Sequence, residues 1–304
     1  MELSVVVPIL NEAKNLQVLH ERLSKALSSL TNSYEIITID DGSTDNSFSI
    51  LREIQLRDPH LRIIKLRRNF GQHPATFAGF ENAKGGIVIS IDADLQNDPS
   101  DIPKLLRKLN EGFDVVSGKR LDRTDSLFRR KIPSLLINRF VSVRTGLVQT
   151  DTGCFLKAYT NKAAKEIAKY TEPGGFFTAS IGLLGFKYAE VEVSHGKRQA
   201  GQSHYDFFVQ LNQFMSLFTG YARRPFQVIE VIGALTVLLS VVILGGNLSG
   251  IFGKITITSL LLTLLIGVAG LILGCLGIMG EYIIRIYHSN MQKPRYLIED
   301  IYEP

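Results

Sequence analysis

The sequence predicts an α/β fold: a mostly parallel sheet with flanking helices, then amphipathic helices and a C-terminal pair of membrane-spanning helices. Three observations predict it. Short β-branched runs alternate with helical spacings in the N-terminal part of the chain. Polar clusters stand directly after three of the expected strands. Two long segments, Val231 to Gly253 and Ile255 to Gly280, carry no charge at all.

The elements follow in order. Leu3 to Ile9 is a first strand, and Glu12 to Ser28 spaces Leu16, Leu19, Leu23 and Leu27 as one helical face. Tyr34 to Ile39 is a second strand, stopped by Asp40-Asp41-Gly42-Ser43. Thr44 or Asp45 then caps a helix reaching about Gln55. Leu61 to Leu66 is a third strand, Ala75 to Ala83 a short helix ended by Gly85-Gly86, and Ile87 to Ile91 a fourth strand. Pro103 to Asn110 is helical, and Asp114 to Ser117 is a fifth strand. In parallel sheets ligands bind beyond the carboxyl ends of strands. Asn11-Glu12, Asp40-Asp41 and Asp92 to Gln96 all fall there.

Composition supports two unlike parts. The 304 residues are 45% hydrophobic and 21% charged, and charge almost vanishes between Val231 and Gly280. The net charge of +5 suits anionic lipid or phosphate as well as nucleic acid. No nucleic-acid-binding motif accompanies it, so nucleic acid is not an expected partner. Cys154 and Cys275 form no disulfide framework and no metal-type spacing. The start, Met-Glu-Leu-Ser, lacks a basic region and a cleavage site, so no signal peptide is expected.

Leu127 to Val148 mixes Arg129, Arg130, Lys131, Arg139 and Arg144 with apolar residues, and Tyr205 to Tyr221 carries a Phe, Leu and Met stripe. Both read as interfacial helices; the plainer reading is a core-facing helix with a solvated basic face. Each uncharged segment is long enough to cross a bilayer at ~1.5 Å per residue. Arg223, Arg224, Arg285, Lys293 and Arg295 flank the pair, which places both flanks in the cytoplasm. The expected organisation is a catalytic domain over 1–204 with an interface helix over about 127–148. A juxtamembrane helix over 205–227, two spans over 228–284 and a cytoplasmic tail over 285–304 complete it. That makes the chain an integral protein of the plasma membrane, its catalytic domain on the cytoplasmic face. Gly267, Gly270, Gly274, Gly277 and Gly280 fit close packing against the first span or a neighbouring subunit, hence a homo-oligomer.

Asp92-Ala93-Asp94 directly follows a strand. Carboxylates at i and i+2 reach one hard cation, which in turn binds phosphates. Taken alone, such a pair is better explained by turn chemistry, so the surrounding pattern decides. Val5 to Glu12, Ile39 to Asp45, Arg68-Asn69-Phe70-Gly71-Gln72 and Asp92-Ala93-Asp94-Leu95-Gln96 together resemble glycosyltransferase family 2, whose fold is the GT-A type, Rossmann-like. The match covers roughly residues 1 to 210. It implies a nucleotide-sugar site of Pro8, Leu10, Glu12, Asp40, Asp41, Asn69, Gly71, Gln72 and Ala93. It implies Mg²⁺ or Mn²⁺ on Asp92, Asp94 and Gln96.

Within the family, the two spans and the Arg-rich middle helix resemble the polyprenyl-phosphate hexosyltransferases, the group of dolichol-phosphate mannose synthases and GtrB-like enzymes. The resemblance implies an acceptor phosphate held by Arg120, by Arg129 or Arg130 with Ser134, and by Arg198 and Ser203. Arginine suits that task because its planar fork grips phosphate and keeps its charge. Asp151 falls near the site by the same match, with a helix cap or loop residue as the plain alternative. Asp92, Asp94, Asp151, Arg120 and Arg198 are thus the expected catalytic set. The loop reads His204-Tyr205 where Lys-Tyr is usual, and Asp151 to Leu156 lacks the usual Ser and Arg. His195 is a further candidate to approach the metal.

The implied activity is inverting transfer of a hexose, glucose from UDP-glucose first, to polyprenyl phosphate, undecaprenyl phosphate first. GDP-mannose or a modified UDP-sugar are the alternative donors. Processive polysaccharide synthases carry an acceptor motif with tryptophan, and this chain has no tryptophan. A non-enzymatic scaffold would not need the Asp92–Asp94 pair.

Overall fold

The computed structural model describes residues 2–120, 150, 151, 153–169, 177–194, 196, scattered helical positions between 261 and 286, and 294–304. One compact unit takes in the N-terminal part and Pro294–Pro304; the second is mainly Asp206–Lys293.

In the first unit the order is β1 (Leu3–Ile9), α1 (Leu16–Ser28), β2 (Tyr34–Asp40), α2 (Ser47–Gln55), β3 (Leu61–Leu66), α3 (Gln72–Asn82) and β4 (Ile87–Ser90). A single 3₁₀ turn (Pro99–Asp101) leads into α4 (Ile102–Leu109). Then come β5 (Val115–Arg120), β6 (Lys157–Thr160), α5 (Asn161–Lys169), α6 (Phe177–Leu183), β7 (Tyr188–Val193) and β8 (Ile298–Tyr302). They build an eight-stranded sheet in the order β7-β5-β6-β4-β1-β2-β3-β8.

Strands β1 and β2 are buried along their whole length, as parallel strands covered on both faces must be. Side chains alternate between two cores. Val5, Val7 and Ile36 meet Leu16, Leu23 and Leu51 of α1 and α2. Val6, Ile37 and Ile39 meet Ala75, Ala78 and Phe80 of α3 and Ile167 of α5. The Leu16, Leu19, Leu23, Leu27 face of α1 is buried as the spacing predicts. Helix α3 lies so close to the sheet that a Cβ on Gly79 would stand 2.3 Å from Val6 Cγ1.

The sheet is more mixed than expected. Strands β1 to β4 are parallel neighbours. Strand β6, however, enters antiparallel between β4 and β5, and β8 adds antiparallel to β3. The segment expected as the cytoplasmic C-terminal tail contains, over Ile298–Tyr302, an edge strand of this sheet. Gln55 Nε2 donates to Tyr302 O at 2.7 Å, Arg62 pairs with Glu303 at 2.8 Å, and Lys65 pairs with Glu299 at 3.1 Å.

Element ends also shift. Helix α3 begins at Gln72 because Gly71, at φ 101°, turns the chain into it, and Pro74 fits its first turn. Helix α2 begins at Ser47, since Thr44 and Asp45 give their N–H groups to Asn11 Oδ1. Asp45 still serves the helix start by accepting from Ser47 N at 2.9 Å.

Residues 121–149, 197–260 and most of 261–293 lie outside the described residues, and with them the interface helices and the first expected span. In the second expected span the described positions are helical, and Leu261, Leu265, Val268 and Ile272 are exposed. Among the described residues no helix is long and apolar enough to cross a membrane.

Candidate active site

The chain runs from β1 to β2 to β3 in one direction, then crosses back to place β4 on the other side of β1. That reversal opens a crevice at the carboxyl ends of β1 and β4. The polar clusters read from the sequence gather along this edge.

Beyond β1, Leu10 is exposed at 39% while Pro8 is buried inside the strand. Asn11 adopts φ 56°, a left-handed conformation that asparagine tolerates well. Its Oδ1 accepts from Thr44 N at 2.8 Å, and its N–H donates to Ser43 Oγ at 3.1 Å. Glu12 accepts from Asn15 Nδ2 at 2.6 Å, and its N–H donates to Ser47 Oγ at 2.9 Å. The exit of β1 is thereby stitched to the exit of β2.

Asp40 and Asp41 end β2 with different tasks. Asp40 is 1% exposed and accepts from Ser43 N at 3.1 Å. Its Oδ2 is buried with no hydrogen-bond partner among the described residues. An unmet buried acceptor costs about 1–3 kcal/mol or more, which a donor group on a ligand would remove. Asp41 is spent on the backbone: it accepts from Phe70 N at 2.7 Å and Gly71 N at 2.8 Å. Burial pushes its carboxyl above the usual range, and Asp40 adds to this against the pull of the two N–H donors. Asp41 thus shapes the loop at 69–72 from beneath.

Gly42 lets the two loops touch. It sits at φ +69°, and a Cβ there would lie 2.6 Å from both Arg68 C and Asn69 N. Gly42→Ala is expected to destabilise the fold by at least about 2 kcal/mol, from left-handed strain and backbone clash together. Displacing Asn69, which the family resemblance places at the donor diphosphate, should also weaken nucleotide binding in calorimetry. An unchanged melting midpoint with unchanged affinity would show that the loops do not depend on each other.

Asn69 and Gln72 are exposed, and Gln72 heads α3, whose N-terminal N–H groups favour an anion. Gln72 Nε2 donates to Asp92 Oδ1 at 2.5 Å. Asp92, Asp94 and Gln96 are half-buried and alternate with buried Ala93, Leu95 and Asn97. The alternation puts the three polar side chains on the accessible side. Leu95 adopts φ 61° in this turn, and Gln96 N donates to Asp94 Oδ1 at 3.1 Å.

At the end of β5, Arg120 grips Asp151 with two parallel bonds, Nε to Oδ2 and Nη2 to Oδ1, both 2.7 Å. Gly153 fits beside them, where a Cβ would stand 2.8 Å from Arg120 Nη2. Glu190 of β7 holds the preceding turn by accepting from Thr150 N at 2.8 Å. Gly196 N donates to Gln96 O at 2.8 Å, so the chain leading to Arg198 is fastened to the Asp92–Gln96 turn.

Arg129, Arg130, Ser134, His195, Arg198 and Ser203 lie outside the described residues. Sequence reasoning missed Glu190, which holds Thr150 and Asp151 N at the edge of the site, and the buried Lys157–Ser117 pair within the sheet. Lys157 had a readable signal: a lone charge in the apolar run from Cys154 to Tyr159.

Residues 4–169 match the model of glycosyl transferase family 2. The chain belongs to that family, and it is a glycosyltransferase. It is 37% identical over 310 residues to an undecaprenyl-phosphate 4-deoxy-4-formamido-L-arabinose transferase of Photorhabdus laumondii, covering 99% of this chain and 94% of the relative. The protein of the same description from Proteus mirabilis is also 37% identical, over 308 residues, with 99% and 94% covered. Among solved structures, glucosyl-3-phosphoglycerate synthase from Mycobacterium tuberculosis in complex with phosphoglyceric acid superposes with a TM-score of 0.54 at 19% identity. The match covers 72% of this chain and 80% of that one. Its complex with Mn²⁺, UDP and phosphoglyceric acid gives 0.53 at 18%, covering 73% and 78%. The described residues have this GT-A-like mixed α/β fold.

Proposed function

We propose that this enzyme transfers a sugar from a nucleoside diphosphate-sugar to the phosphate of a polyprenyl lipid, with inversion at the anomeric carbon. The observation that carries this reading is likeness over 99% of the chain to two transferases named for undecaprenyl phosphate. The site supports it. Asp40, with an unmet buried oxygen, and Glu12 suit the nucleoside. Asn69 to Gln72 and the start of α3 suit the diphosphate.

The residues fit a divalent metal. Asp92, Asp94 and Gln96 offer hard oxygen ligands on one accessible side. Among the described residues no group of three acidic, His or Cys side chains converges as a metal site. Two carboxylates therefore suit a cation whose other positions are filled by substrate phosphate and water. Mg²⁺ or Mn²⁺ held there would neutralise charge on the departing diphosphate. The M. tuberculosis enzyme, solved with Mn²⁺ or Mg²⁺ and UDP, supports this choice.

The acceptor needs no general base, because a phosphate monoester with second pKa ~6 is largely dianionic at neutral pH. The chain must instead hold two anions together. Arg120, Arg198 and the Arg129–Arg130 pair, with Ser134 and Ser203, are the proposed clamp on the acceptor. This is catalysis by positioning and electrostatics.

For the donor, the GtrB-like resemblance favours UDP-glucose, while the relatives' names favour a nucleotide-linked 4-deoxy-4-formamido-L-arabinose. The test is the purified full chain in detergent with Mn²⁺ and undecaprenyl phosphate, given each donor in turn. A lipid-linked sugar of inverted configuration is expected from one of them. Equal donor consumption with and without the lipid phosphate would overturn the reading.

We also propose two spans within 228–284, with the catalytic unit on the cytoplasmic face of the plasma membrane. A cysteine placed at Ser249, between the two apolar segments, should then react with an impermeant maleimide added to intact cells. Labelling only after permeabilisation would count against the hairpin.

A further inference from the structure

The sheet edge at β3 is closed by a segment from the far end of the chain. Register steps once along it: Lys65 pairs with Asp300 and Leu66 with Ile298, so Glu299 is an extra residue on β8. Glu299 reaches Lys65 at 3.1 Å. Beyond Leu66, Arg67 N still donates to Leu297 O at 3.0 Å. That bond falls where β3 ends and the loop leading to Gln72 begins. An exposed edge needs covering, and β8 alone covers this one.

Arg295 and Tyr296 reach further than edge cover requires. Arg295 donates to Ala168 O and Lys169 O, the last carbonyls of α5, which a helix leaves without an internal partner. Its guanidinium also lies over the Phe77 ring of α3, 5.4 Å from the centroid. Tyr296 donates to Glu81, also on α3. The tail thus holds α3 at two points. As one 11-residue helix, α3 carries that anchoring to its first residue, Gln72. Phe70 of the loop, Phe77, Tyr296 and Ile298 pack against the same core.

The loop is gripped from the β2 side as well. Asp41 accepts from Phe70 N and Gly71 N, and Gly42 backs onto Arg68 and Asn69. Taking residues 69–72 as the donor diphosphate site, on which this inference rests, we propose that residues 295–298 are a positioning strap. They fix the β8 side of the loop and the direction of α3, whose N-terminal N–H groups favour an anion. Arg295 and Tyr296 are then positioning residues that act on the donor through α3.

The test is Arg295→Ala with Tyr296→Ala in the full-length enzyme, which leaves β8 paired. UDP with Mn²⁺ is the probe. Its affinity by calorimetry should fall about tenfold, within the usual coupling of neighbouring groups. The KM for undecaprenyl phosphate should stay at the wild-type value. In the ligand-free enzyme, amide hydrogen exchange over residues 68–76 should quicken by a similar factor. The control is Glu303→Ala at the other end of β8, where Glu303 meets Arg62 at 2.8 Å and Lys84 at 3.4 Å. It should lower the melting midpoint and leave UDP affinity and exchange at 68–76 unchanged. Arg295→Lys keeps a donor for α5 and a cation over Phe77, and should keep most of the affinity. A tail that only covers the edge would lower the midpoint in both variants with no selective loss of UDP. That outcome, or an equal loss of UDP in Glu303→Ala, overturns the proposal. Arg295→Ala or Tyr296→Phe alone should give part of the same loss, so poor folding of the double variant leaves the question answerable. Failure of the donor reading would appear separately, as a wild-type enzyme that binds neither UDP nor GDP while exchange at 68–76 still follows the tail.

Discussion

Asp94→Asn is expected to cut turnover by roughly 10²–10³-fold, the usual loss when one pre-organised electrostatic contact to the transition state is removed. The change is nearly isosteric. Asparagine keeps a side-chain oxygen to accept from Gln96 N, as Asp94 does at 3.1 Å. It sits half-buried in a turn beyond β4, not in either core, so the melting midpoint should barely move. The expected signature is thus a large kinetic loss in a folded protein, accompanied by a raised Mn²⁺ requirement. The measurement is lipid-linked product formation against Mn²⁺ concentration. Wild-type turnover of the variant in chelator-treated buffer would remove Asp94 from the metal.

The largest stability effect is expected at the other end of the same strands. Glu35, 1% exposed in β2, accepts from Ser4 Oγ at 2.6 Å, Lys84 N at 2.7 Å and Arg62 Nη1 at 3.1 Å. Arg62 is itself 6% exposed and also reaches Asn82 O at 3.0 Å. Glu35→Ala removes the buried one of the two carboxylates that Arg62 holds, leaving it Glu303 and Asn82 O, and takes the acceptor from Lys84 N. Breaking one side of a buried pair costs about 3–5 kcal/mol. For a domain of this size that is a fall of roughly 6–20 °C in the midpoint, at about 2–4 °C per kcal/mol. Donor KM in the surviving folded fraction should stay near wild type, because the network lies at the amino ends of β1 and β2. Replacing Glu35 and Arg62 together by Leu and Met should restore much of the midpoint. A loss below about 1 kcal/mol for the single variant would mean that Glu303 and Asn82 O suffice for Arg62.

The contrast between these two ends explains what the sequence could reveal. Strands β1 to β4 and the buried face of α1 were legible because parallel strands under two helix layers read as continuous apolar runs, and a buried helix face repeats every three or four residues. The strand-end clusters were legible because polar residues interrupt those runs abruptly. Strand β6 was not: four residues with a lysine at their head look like a loop. Strand β8 was not, because Ile-Glu-Asp-Ile-Tyr at a sheet edge keeps its charges and its partner is more than two hundred residues away. In the site, Asp40 and the Asp92–Gln96 turn could be named from local pattern. The fastening of Asp41 to Phe70 and Gly71, and of Arg120 to Asp151, could not, since each joins segments about 30 residues apart.

Strand β8 has a consequence of parity. It hydrogen-bonds to β3 and belongs to the same compact unit as the N-terminal strands, while Asp206–Lys293 is assigned to the second unit. A path that leaves a body on one side of a barrier and returns to that body crosses the barrier an even number of times. Any bilayer topology for this segment is therefore zero, two or four crossings, never one or three, for as long as Ile298–Tyr302 stays paired. Reporter domains fused ahead of residue 1 and after residue 304 should consequently report the same compartment.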